Sequence, residues 1–193
     1  MERTRQLFLY SQFCLYVGLA ICIIIKPRGL TINNGISYYG TFKLTIIPYC
    51  FALFGSAFFC LRGTQELSIS TSVRLVHYVL LAVSILIVGI VITPYTISRL
   101  VSALHETIGS VLFSLQLLLS LWLIVYLQFK FWAITLTVLE FAAGVVSLIY
   151  LAPRHGYLLE SQIIFQICFG ILLISSLPYL VKTDRLHAVR DRR

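Results

Sequence analysis

Six apolar stretches, each close to the length needed to cross a bilayer, constrain this chain more than any other feature. They cover about 7–25, 44–61, 73–93, 104–127, 131–151 and 160–181. A helix rises 1.5 Å per residue, so about 20 apolar residues cross roughly 30 Å of hydrocarbon. None of the stretches alternates apolar and polar residues as a membrane β-strand must. The pattern predicts an all-α fold: one integral membrane domain over 1–193, a six-helix transmembrane bundle of three hairpins, ending in a basic tail over 182–193.

Composition excludes the soluble alternative. The chain is 59% hydrophobic and 11% charged, whereas soluble domains carry about a quarter charged residues. Its mean hydropathy is +0.94. The net charge of +8 raises the question of nucleic acid, but the cations sit in short links and in the tail. No aromatic-plus-basic motif stands among them, so no nucleic-acid partner is expected. The first apolar run ends at Lys26-Pro27-Arg28 without an A-x-A cleavage site and reads as a retained helix. Cys14, Cys22, Cys50, Cys60 and Cys168 all fall inside apolar runs without CxxC spacing, as soft packing residues do.

Lys and Arg set the orientation. With the N-terminus in the cytoplasm, ten of the 15 cations lie inside: Arg3, Arg5, Arg62, Arg74, Lys130, Lys182, Arg185, Arg190, Arg192 and Arg193. Lys26, Arg28, Lys43, Arg99 and Arg154 lie outside. That asymmetry predicts both ends inside. The basic tail is also suited to anionic lipid headgroups. Pro27, Pro94 and Pro153 follow the first, third and fifth helices and open the outer loops, because proline cannot continue a helix without losing a hydrogen bond.

Helices associate in lipid through small and polar residues on one stripe. Such stripes are present at helical spacing: Ser11, Cys14, Gly18 and Cys22; His105, Gly109, Gln116 and Ser120; Ala133, Thr137, Glu140, Gly144 and Ser147; Gln162, Gln166 and Gly170. Glu140 is the most informative of these, since a charged group mid-membrane costs about 2.5–3.5 kcal/mol. Gln116 and Glu140 lie equally far from Gln128 at the turn between the fourth and fifth helices, which predicts a Gln116–Glu140 hydrogen bond. Two roles are open to the acid: a proton or cation site, with Gln116 and Gln166 lining the path, or an interhelical clasp.

A second group collects at the outer ends of the helices: His105, Glu106, Arg154, His155 and Glu160. Acids at helix starts suit the macrodipole. A polar cleft that meets a lipid headgroup is the sharper expectation. Two His and two Glu would serve a zinc hydrolase, yet no HExxH spacing is present and no metal or other cofactor is implied.

The first outer loop contains Ile36-Ser37-Tyr38-Tyr39-Gly40. This element resembles the I-S-x-x-G motif of the DRAM/Sfk-like membrane proteins, and the chain is similar to a large prokaryotic family of six-helix proteins without an assigned function. Tyr38 stands where the eukaryotic members carry an acid. The resemblance implies a multi-pass scaffold linked to lipid or membrane regulation. It transfers no catalytic residue and marks Ser37 and Gly40 as structural. Function classes rank accordingly: a non-enzymatic scaffold in lipid handling or membrane regulation, then a small proton-coupled transporter using Glu140, then a metal-dependent membrane hydrolase. Absence of glycosylation acceptors fits a prokaryotic plasma membrane. The oligomeric state is not legible in the sequence.

Overall fold

A computed structural model of the chain describes residues 2–30, 35–67, 73–94, 96–151 and 157–190, side chains excepted at 151 and 181–190. Among the described residues there is no strand. Six α-helices lie among those residues: α1 (Glu2–Ile25), α2 (Ile46–Gln65), α3 (Arg74–Ile92), α4 (Arg99–Tyr126), α5 (Phe131–Leu151) and α6 (Leu158–Arg190). Two short 3₁₀ segments, Pro27–Leu30 and Ile36–Thr41, occupy the link from α1 to α2.

All six helices are long and apolar enough to cross a membrane. Their outward faces agree, with Ile24 78% exposed and Ile47 77%. In water such a perimeter would drive association; against lipid tails it is the matching surface. The architecture is that of a multi-pass membrane protein.

The helices outrun the apolar stretches wherever polar residues can prolong them. α1 begins at Glu2, an acid in the first turn that complements the helix dipole. Arg3 then reaches Glu66, just past the end of α2, at 3.4 Å. α4 begins at Arg99 rather than near 104, because the Ser98 hydroxyl caps it by accepting from Val101 N–H at 3.2 Å. α6 runs on to Arg190, with Pro178 inside it, so its backbone continues through most of the basic stretch that follows the apolar run. Hydropathy reports where lipid ends, and a helix need not stop there.

The α1–α2 contact is the most extensive in the bundle, and α5–α6 comes next. Gly18 permits the first: a Cβ there would lie 2.6 Å from Ala52 Cβ and 2.7 Å from the Pro48 carbonyl oxygen. Ser11 locks the same seam by donating to the Ser56 carbonyl at 2.8 Å. Cys14 meets Gly55 and Phe8 meets Gly63, so the pair runs antiparallel.

One apolar core gathers Leu80, Leu123 and Leu172, and a second lies under the first link around Tyr39, Tyr49 and Leu159. α4 and α5 touch least of all sequential helices. Their turn is tight, with Phe129 N–H donating to the Ile124 carbonyl at 3.0 Å, and Ala133 packs in the core with Leu123. Farther from the turn, Phe165 of α6 meets both: its ring centroid is 4.5 Å from that of Phe113 on α4, and it contacts the Gly144 position on α5.

Candidate functional site

The 3₁₀ segment Ile36–Thr41 is clamped to the bundle at several points. Ile36 N–H donates to Gln162 Oε1 on α6 at 2.8 Å. The Thr45 hydroxyl donates to the Tyr39 carbonyl at 2.6 Å. Gly40 is required by packing, since a Cβ there would come within 2.6 Å of the Tyr49 ring. Burial pushes the Tyr39 phenol up to about 12, so it stays neutral at ordinary pH.

That clamp delivers Ser37 to His105. Ser37 Oγ lies 2.8 Å from His105 Nε2, and His105 Nδ1 lies 2.7 Å from the Thr93 carbonyl oxygen. A carbonyl oxygen only accepts, so the proton resides on Nδ1 and the Nε2 lone pair faces the Ser37 hydroxyl. Thr93 is available because it follows the last residue of α3, where carbonyls run short of helical donors. Its own hydroxyl turns back to the Gly89 carbonyl at 2.7 Å.

Ser37 and His105 open onto a cavity of about 430 Å³, within the range of small-molecule sites. Ile87, Leu112, Phe113, Phe165 and Phe169 make its walls apolar. Gly109 faces open space, with no atom within 4 Å of a Cβ placed there. The exposed side chains on the cavity wall fall on two edges: Glu106, Ser110 and Ser114 on α4, and Phe141, Val145 and Leu148 on α5. The mouth is therefore lateral, between the two sequential helices that touch least.

The expected Gln116–Glu140 bond does not form. Gln116 and Gln166 instead bond each other through both amides, at 3.1 and 2.9 Å. Equal distance from a turn sets equal depth, but α4 diverges from α5 beyond the turn and α6 comes alongside, so the amide on α6 takes the role assigned to the acid. Glu140 is 0% exposed, with Ser120 and Cys168 beside it. Neither of its carboxyl oxygens has a hydrogen-bond partner among the described residues. It does not line the cavity, whereas both glutamines do.

Of the second expected group, His105 and Glu106 line the cavity. The Ser102 hydroxyl donates to Glu106 at 3.3 Å. Glu160 lies near Tyr39 rather than on the cavity wall. Arg154 and His155 lie outside the described residues. Among the described residues no group of three or more His, Cys, Asp or Glu is placed to hold a metal ion.

The sequence reading missed Thr93 and Gln162 as partners of this region, and it missed Ser110 and Ser114. The latter had a signal: Ser102, Glu106, Ser110 and Ser114 recur every fourth residue, a polar line along a helix otherwise suited to lipid. No known protein family, curated protein or solved structure matches the chain.

Proposed function

We propose that the protein handles lipid: its cavity takes a hydrocarbon chain of an ester-linked membrane lipid sideways between α4 and α5, with the polar end of the lipid at His105 and Glu106. The carrying observation is the lateral mouth, edged by exposed residues of both helices. A cavity for a water-soluble solute has no need to open where hydrocarbon lies. The apolar walls suit a chain, and Ser102, His105 and Glu106 at the outer end of the mouth suit a headgroup.

In this reading the three hairpins have both chain ends inside, which puts the Ser37–His105 end in the outer leaflet. The excess of cations on the inner side supports that orientation. The basic tail would then rest on anionic headgroups of a prokaryotic plasma membrane. The position of Ile36-Ser37-Tyr38-Tyr39-Gly40 supports kinship with the DRAM/Sfk-like proteins. A proton-coupled carrier is less favoured, because a carrier needs water at Glu140 and that carboxyl is fully enclosed.

The test is photocrosslinking in nanodiscs with a phospholipid that carries a diazirine on one acyl chain. Adducts concentrated at Ser110–Leu117 and Phe141–Leu148, and displaced by unlabelled phospholipid, are expected. Adducts spread evenly over perimeter residues such as Phe13, Ile24 and Phe58 would remove the lipid site.

A further inference from the structure

We propose that Ser37 and His105 are a nucleophile and its base, and that the protein transfers or hydrolyses an acyl group of the lipid in the cavity. The inference rests on the lipid-site reading and deepens it. Nucleophilic serine chemistry needs a hydroxyl within about 2.6–3.2 Å of a base that a third group orients. Ser37 Oγ is 2.8 Å from His105 Nε2, and the Thr93 carbonyl at 2.7 Å holds the ring by Nδ1–H. A main-chain carbonyl stands where a carboxylate stands in the familiar triad.

The same contact could be a clasp that fastens the first loop. Two observations favour chemistry. The loop is already fastened without it, by Ile36 to Gln162 and by Thr45 to Tyr39. And both partners line the cavity wall, where a clasp has no reason to be and a nucleophile must be. His105 lies six residues into α4, about 9 Å along its axis. The fourth apolar stretch begins near 104, so His105 stands at the edge of the hydrocarbon, where the ester carbonyls of a lipid lie. Gln162 supplies a donor on the same wall: its Oε1 is held by Ile36 N–H, which leaves the amide N–H₂ for the oxygen that gains charge.

Ser37 Oγ bonds to the ester carbonyl carbon while His105 Nε2 takes the hydroxyl proton. The bond from that carbon to the alcohol oxygen breaks, and His105 returns the proton to the departing alcohol. Water, or the hydroxyl of a second lipid, then attacks acyl-Ser37 and gives its proton to His105. The new acid or ester leaves, and the proton on Nε2 restores the Ser37 hydroxyl.

The experiment uses the full chain in phospholipid nanodiscs with three readouts: labelling by a fluorophosphonate probe mapped to a peptide, fatty acid released from the phospholipid, and the acyl-chain photocrosslink. Ser37 should carry the probe, and fatty acid should appear. Ser37→Ala should abolish both while keeping the crosslink, and His105→Asn should slow both by about 10²–10⁴-fold. A crosslinked wild type with Ser37 unlabelled, and no fatty acid above the Ser37→Ala level, overturns the dyad and leaves a clasp. Loss of the wild-type crosslink overturns the lipid-site reading instead, and the label on Ser37 then reports on the dyad independently. The wild-type peptide map decides the nucleophile even if a variant fails to fold.

Discussion

Gln116 on α4 and Gln166 on α6 satisfy each other, each amide nitrogen donating to the other's oxygen at 3.1 and 2.9 Å. Both are buried, in a setting where a lone amide has no water to turn to.

A double-mutant cycle on this pair should show strong coupling. Gln116→Leu alone strands the Gln166 amide and should cost about 1–3 kcal/mol. Gln166→Leu should cost a similar amount, and the double substitution less than the sum. Interhelical hydrogen bonds in lipid average about 0.6 kcal/mol and reach roughly 1.7, so a coupling near the upper figure is expected for two bonds. Reversible unfolding in bicelles measures it; additive single effects would show that the amides do not act together.

Gly109 offers the cleanest way to fill the cavity. A Cβ there meets no atom within 4 Å, and replacing a mid-helix glycine favours the helix by roughly 0.5–1 kcal/mol. Gly109→Leu should therefore leave the protein as stable as before, or more so, while lowering the yield of lipid photocrosslinks several-fold. Unchanged crosslinking in a stable Gly109→Leu protein would mean that lipid does not enter past this position.

The bundle was readable in outline because lipid imposes one strong signal per helix. The stripe Ser11, Cys14, Gly18 and Cys22 is buried throughout, and Thr137, Glu140 and Ser147 likewise turn inward. Period and polarity suffice for that. The partner of each stripe was not readable. Symmetry about the turn pairs Gln116 with Glu140, and symmetry fails once helices splay. The Ser37–His105 contact spans 68 positions and joins a loop to a helix end, where no periodicity links them. Its residues were visible singly: Ser37 through the short loop motif, His105 through its place near a helix start. Only the fold brings them to one wall.

Gly18 should tolerate no side chain. A Cβ would stand 2.6 Å from Ala52 Cβ, 2.7 Å from the Pro48 carbonyl and 2.9 Å from Ala52 Cα, and two of those three atoms belong to the backbone of α2. Gly18→Ala must push the helices apart and should destabilise by about 1–3 kcal/mol, as overpacking does. Gly18→Leu should prevent a stable protein from forming. As a control, Gly144→Ala meets only the Phe165 ring, at 3.4 and 3.5 Å, and should be close to neutral. Equal thermal midpoints for the Gly18→Ala protein and the wild type would show that the close approach of α1 and α2 is not what holds the pair.

Glu140 should prove dispensable for folding, and even unfavourable. Its two carboxyl oxygens, the Ser120 hydroxyl and the Thr137 hydroxyl are all buried without hydrogen-bond partners among the described residues. A buried polar group without a partner costs about 1–3 kcal/mol. Glu140→Met keeps the shape and removes the acid, so unfolding in bicelles should show a gain of that order. Glu140→Gln keeps a polar group and should stay nearer the wild type. If the carboxyl instead held a proton or cation that the bundle needs, Glu140→Met would lose stability rather than gain it. The sign of this one difference separates an acid left over in the core from an acid with work to do there.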